Sequence, residues 1–237
     1  MYVVKKLISQ GLQSPPVHYN LNPSQGRAVD IIDKAYDQKG VGLVQGPPGT
    51  GKTSVIVSSL ERLISRLDRN EVLVYVAPTN ELVKDVTLKV VPILKKKGYE
   101  NEKDIIKAVR IFGSDFDYRG AQEVRAPIDK DVKVILTTDY QKFYVNYKEA
   151  ESKGFSFSFL VDEASKSPIY RFLTPIAMEL IRADKTDLNI SIDSLSVVGD
   201  PMQAIAKKDI YKTHREYLLM VNILRNMLAD VDPSLAE

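Results

Sequence analysis

The chain has no cysteine. That absence excludes a disulfide framework, a Cys-ligated zinc and a thiol nucleophile together, and it fits a reducing compartment. Strong charge of either sign is also missing, since 33 Lys and Arg against 31 Asp and Glu leave a formal +2. A chain so balanced has no general attraction to nucleic acid, and any such surface must be a local patch. No apolar run approaches the ~20 residues that a membrane span needs. The start, Met1 to Gln10, has two lysines but neither a long apolar core nor a small-residue cleavage site, so no signal peptide is expected. These absences predict an intracellular protein, cytoplasmic or nuclear, with no membrane contact. His18 and His214 have no metal-ligand company and read as ordinary residues.

What is present is an ordinary globular composition. At 44% hydrophobic and 27% charged residues, wholesale disorder is excluded. A length of 237 residues allows one large domain or two small ones. No stretch reads as a linker, an internal repeat or a low-complexity segment, so a single domain over 1–237 is the economical expectation.

Short β-rich runs alternate with longer helical patterns, the signature of a parallel sheet covered by helices. The expected strands are residues 41–45, 72–76, 108–112, 132–137, 157–161 and 194–198. Several are nearly continuous apolar runs, as strands buried on both faces require. Between them Val29, Ile32 and Tyr36 fall at helical spacing, as do Ile56, Leu60, Leu63, Ile64 and Leu67. Further helical patterns cover 169–183, with Pro175 a break or kink, and roughly 216–228. Lys95-Lys96-Lys97 before Gly98 reads as the cationic end of a helix. The least regular part is 114–131.

The first chemical signal is Gly46-Pro47-Pro48-Gly49-Thr50-Gly51-Lys52-Thr53, placed between a strand and a helix. This is the phosphate-loop pattern in its confirming context. Glycines let backbone N–H groups curl around a β-phosphate, and the helix presents its positive N-terminus. Lys52 would reach the β- and γ-phosphates, and the Thr53 hydroxyl would coordinate Mg²⁺. The second signal is Asp162-Glu163, directly after the strand at 157–161, where open α/β sheets bind ligands. Alone, the pair reads equally as two solvated surface acids. With the phosphate loop, Asp162 is expected to hold Mg²⁺, and Glu163 to orient and deprotonate the attacking water. ATPase and GTPase both remain open at this point.

Three flanking stretches narrow the choice: Leu21-Asn22-Pro23-Ser24-Gln25, Ala77-Pro78-Thr79-Asn80 and Val198-Gly199-Asp200-Pro201-Met202-Gln203. Each has a plain reading. Asn22, Pro23 and Gln25 suit a capped helix start; Pro78-Thr79-Asn80 suits another cap, and Gly199-Asp200-Pro201 a turn. Taken in order with the loop, a Thr-bearing strand ending in Thr137 and Thr138, and the acidic pair, the set resembles superfamily-1 helicases of the nonsense-mediated-decay RNA helicase branch. The resemblance runs from Leu21 to Gln203. An AAA+ ATPase shares the loop, but its Thr-Asn sensor follows the acids. A UvrD-type helicase continues its acids with Gln-Asp, where this chain has Ala164-Ser165.

The resemblance implies a RecA-like P-loop NTPase domain of α/β class, with a central mostly parallel sheet and helices on both faces. It implies an ATP hydrolase using ATP and Mg²⁺. Gln25 would read the adenine edge, for which an amide has both donor and acceptor. Gln203 would sense the γ-phosphate, and Pro78, Thr79, Asn80 and Thr137 or Thr138 would contact single-stranded RNA or DNA. Family members pair two RecA-like domains with ATP between them. Here no candidate for the second domain's catalytic arginines follows Gln203, and Arg215 and Arg225 read as packing or solubility residues. A second domain, in cis or in trans, is therefore an expected partner, and weak hydrolysis is expected without it. The different-class alternative is a stand-alone nucleotide switch or adaptor. Relatives' helical insertion and β-barrel subdomain have no counterpart between Phe112 and Val132 or ahead of Leu21. Tyr140 to Lys148 interleaves aromatics with lysines. It reads first as an amphipathic helix with Phe143, Tyr144 and Tyr147 inward, and otherwise as a base-stacking surface.

Overall fold

The β-branched and aromatic runs become six strands in the computed structural model, which describes residues 3–68, 70–116, 128, 130–139, 155–166 and 190–200. They are β1 (Val41–Gln45), β2 (Glu71–Ala77), β3 (Val109–Phe112), β4 (Val134–Thr138), β5 (Phe155–Val161) and β6 (Ile190–Gly199). All six belong to one sheet, in the order β1-β6-β5-β2-β4-β3, and every pairing is parallel. The described helices are α1 (Val3–Gln13), α2 (Pro23–Asp37), α3 (Lys52–Ile64), α4 (Asn80–Lys96) and α5 (Glu102–Ala108), with a 3₁₀ turn at Ala164–Lys166. This is the RecA-like P-loop arrangement of the α/β class.

The alternating pleat sends Leu73, Tyr75, Ile111, Leu136, Leu160 and Val198 into one core, shared with apolar faces of all five helices. The opposite face carries Val72, Val74, Phe157, Phe159, Val161 and Val197, which are buried as well. Burial on both faces explains why the strands read as apolar runs rather than as alternating ones. Among the described residues, no helix is long and apolar enough to cross a membrane.

Two helices position the phosphate loop. α2 begins with a reciprocal cap: Asn22 Oδ1 accepts the Gln25 N–H and Gln25 Oε1 accepts the Asn22 N–H, both at 2.9 Å. α2 is then fastened to α3 by Arg62, which reaches Asp30 at 3.1 Å and Asp33 at 2.8 Å, and by Arg66, which reaches Asp33 at 3.2 Å and Asp37 at 3.1 Å. Such exposed pairs contribute only about 0–1 kcal/mol each. Their effect is to set how the two helices lie.

The strands fall where the apolar runs put them, within a few residues. β6 starts earlier than residue 194, because Ile190–Ile192 pair with Phe155–Phe157 ahead of a register shift at Phe157/Ser158. Lys95 and Lys96 do end a helix, α4. α1 and α5 have no counterpart in the sequence reading. The helical patterns at 169–183 and 216–228 lie outside the described residues.

Candidate nucleotide-binding site

β1 delivers the phosphate loop to the carboxyl end of the sheet. Its first residue is held there by the neighbouring strand, since the Gly46 N–H donates to the Gly199 carbonyl at 3.0 Å. The loop then closes on itself: the Thr50 hydroxyl donates to the Pro47 carbonyl at 2.7 Å. Gly51 enters α3 with φ +84°, in the left-handed region that an L side chain resists, and a Cβ there would also run into Gln25 Nε2. No side chain caps α3. Its first N–H groups and the positive end of its dipole are left for an anion.

Lys52 opens α3 and folds back over the loop. Its Nζ donates to the Gly46 carbonyl at 3.1 Å, lies 3.5 Å from the Pro47 carbonyl and is 3.6 Å from Glu163 Oε1. Glu163 arrives from β5, which β6 separates from β1. Its second oxygen, Oε2, lies 3.2 Å from Lys166 Nζ, an ion pair without hydrogen-bond alignment. Glu163 has φ +47°, a left-handed conformation for a residue with a side chain. Strain of this kind costs about 1–3 kcal/mol and collects at functional sites.

Asp162 is 4% exposed. Its Oδ1 accepts the Glu163 N–H at 2.8 Å and its Oδ2 accepts the Tyr75 hydroxyl at 2.9 Å. Burial pushes its carboxyl up to about 6, and the Glu163 charge adds to the rise; the Tyr75 hydroxyl, the Glu163 N–H and Lys52 favour the ionised form and oppose it. Tyr75 escaped the sequence reading. The one available signal was a hydroxyl within the aliphatic run of β2.

Gln25 lies beside the loop. Both ends of its amide are in use: Oε1 in the cap of α2, and Nε2 donating to the Thr50 carbonyl at 2.9 Å. Capping and loop contact therefore coexist in one side chain. Pro48, Gly49 and Thr53 lie in the loop and first helical turn with Gly46, Pro47, Thr50 and Gly51. Gln203 lies outside the described residues, as does the stretch from Tyr140 to Lys148.

The residues expected to meet nucleic acid gather on the other half of the same sheet edge. β2 and β4 pair directly, with Val76 opposite Thr137 and Ala77 opposite Thr138. Thr79 caps α4, accepting the Leu82 N–H at 3.4 Å, and Asn80 Nδ2 donates to the Ser114 hydroxyl at 2.9 Å. Thr137 and Thr138 are both buried, and the Thr137 hydroxyl donates to the Thr138 carbonyl at 3.0 Å. Ser114 was another residue missed, because only the fold brings the end of β3 to α4. His18 accepts from Lys96 Nζ at 2.9 Å, and no group of three or more potential metal-binding side chains occurs among the described residues.

An AAA-domain family matches residues 20–133, a span that holds Gln25, the phosphate loop, Thr79 and Asn80. Helicase sen1 of Schizosaccharomyces pombe is 31% identical over 121 residues, which is 44% of this chain and 7% of that protein. The chain thus spans a small part of the curated relative that it matches. The sheet order brings the acids that follow β5 and the end of β6 to the side of the phosphate loop, which lies in the matched stretch. The chain carries a P-loop domain, and what it resembles is the first motor domain of a superfamily-1 helicase.

Proposed function

We propose that this chain is a single RecA-like domain, the ATP-binding first motor domain of a superfamily-1 DNA or RNA helicase. The observation that carries the reading is the meeting of Lys52 with Glu163, 3.6 Å apart, although their strands are separated by β6. A phosphate cradle, a cation for the phosphates and a carboxylate for the attacking water then share one cleft. Thr53 and Asp162 supply a hydroxyl and a carboxylate, the hard oxygen donors that Mg²⁺ takes alongside substrate phosphates. Both oxygens of Asp162 are already held, so its donor atoms are preorganised. Bound there, magnesium would neutralise charge on the phosphate oxygens.

The chain's own residues divide the remaining work. The loop amides and Lys52 bind the phosphates, and Glu163 holds the water and takes its proton. Gln25 exchanges its contact with the Thr50 carbonyl for the adenine edge, and Gln203 senses the γ-phosphate. Pro78, Thr79, Asn80 and Thr137 or Thr138 meet single-stranded nucleic acid. Hydrolysis and unwinding need a second RecA-like domain.

The test is a titration with a fluorescent ATP analogue in magnesium. A charge-assisted contact contributes about 1.5–3 kcal/mol, so Lys52→Ala is expected to weaken binding about 10–100-fold. Unchanged affinity in that variant overturns the reading. Nucleotide binding by a chain that binds no single-stranded RNA or DNA favours the switch or adaptor instead.

A further inference from the structure

β2 carries one hydroxyl, that of Tyr75, into the core shared with the helices. The side chain is 0% exposed. A valine, leucine or phenylalanine would fill such a position without bringing a polar atom into it, and a buried hydroxyl is costly unless it is paired. The Tyr75 hydroxyl is paired with Asp162 Oδ2, at 2.9 Å.

The register explains the pairing. Tyr75 stands opposite Leu160, so its long ring reaches toward the carboxyl end of the sheet, where Asp162 leaves β5. The backbone makes a second link, with the Asp162 N–H donating to the Val76 carbonyl at 2.8 Å. The other carboxylate oxygen accepts the Glu163 N–H at 2.8 Å. With one donor fixed at each oxygen, the carboxylate is held against rotation about its own bond. Its main chain is held to the same strand that supplies the phenol.

We propose that Tyr75 is a positioning residue for the divalent cation of the bound nucleotide, fixing the orientation in which Asp162 meets that cation. The proposal rests on the reading of this cleft as a Mg·ATP site. Groups that orient a metal-binding side chain typically change metal affinity about 10–100-fold when removed. The phenol donates to Asp162, so its effect is expected on the cation and not on metal-free nucleotide binding.

The experiment measures affinity for a fluorescent ATP analogue as a function of Mg²⁺, with an EDTA series, on the full chain. The proteins compared are the wild type, Tyr75→Phe, Asp162→Asn and the double variant. Tyr75→Phe removes one buried oxygen atom and leaves the ring. Its expected result is unchanged affinity in EDTA and a half-effective Mg²⁺ concentration raised about tenfold. In the Asp162→Asn background the same change is expected to add nothing. A Tyr75→Phe magnesium curve that overlays the wild type overturns the proposal. So does a loss that is as large in EDTA as in magnesium, or one that persists in the Asp162→Asn background. Failure of the wild type to bind nucleotide, or normal binding by Lys52→Ala, overturns the site reading itself and is distinguishable from all of these.

Discussion

Asp162 is held by two hydrogen bonds yet stays a poor place for a charge. Its carboxyl, 3.8 in the unfolded chain, is pushed up to about 6 by burial. A folded-state value above the unfolded one means that the native protein holds the extra proton between them. The stability associated with that proton is complete below about 3.8 and is lost as pH rises through about 6. The shift corresponds to roughly 3 kcal/mol, at about 1.4 kcal/mol per pH unit. Asp162→Asn cannot titrate. Its stability relative to the wild type is therefore expected to move in the variant's favour by about that amount between pH 4 and 7, as read from urea unfolding at each pH. A difference that stays flat across this window shows that burial does not strain the charge. The same variant is expected to lose magnesium-dependent nucleotide binding, so stability and function move in opposite directions. The acid pair and the loop were legible in sequence because their chemistry demands fixed residue types at fixed local spacing. Tyr75 was not, because its role is set by strand register, which joins residues that no local pattern relates.

At the scale of elements, α1 shows how packing overrides propensity. Gly11 lies in the last turn of this helix, where α1 crosses α4, and a Cβ at that position would stand 2.6 Å from Val91 Cβ. Alanine would improve helix propensity by about 1 kcal/mol. Forcing a carbon against the backbone-anchored Val91 Cβ requires the helices to separate, and overpacking of this kind costs about 1–3 kcal/mol. The second effect should win. Gly11→Ala is expected to lower the midpoint of chemical denaturation, and a raised midpoint would show that α1 can slide along α4 freely. A glycine also lowers the helix propensity of this stretch, which works against legibility in the sequence. α5 was hidden for another reason: it is seven residues long and runs into β3 with no intervening loop. The strands were easier to place, since burial on both faces leaves an apolar run with little choice of structure.

For the whole molecule, the sheet order β1-β6-β5-β2-β4-β3 decides what can cooperate. No sequence pattern states that order; it follows from which crossovers let the helices cover the sheet. It puts the loop and the acids on one half of the carboxyl edge, and Thr79, Asn80, Thr137 and Thr138 on the other half, with β5 and β2 adjoining between them. On the proposed reading, the groups that would bind nucleotide and strand stand along one edge. Phosphoryl transfer in such a site would also call for an arginine to meet the charge that develops. Among the described residues, the cations that reach Glu163 are Lys52 and Lys166. Arg62 and Arg66 are paired with Asp30, Asp33 and Asp37, and Arg110 donates to the carbonyls of Ile106, Lys107 and Val109. An arginine finger contributes about 10³–10⁵ in rate, or about 4–7 kcal/mol of barrier. Against a typical turnover of about 10 s⁻¹, the purified chain is expected to hydrolyse ATP at about 0.01 s⁻¹ or slower, with binding intact. Adding single-stranded RNA or DNA is expected to change that rate little, because strand contact on one domain supplies no arginine. A coupled steady-state assay checks both statements. Turnover near 1 s⁻¹ or above, stimulated by a strand, would place the activating cation within this chain and remove the need for a second domain.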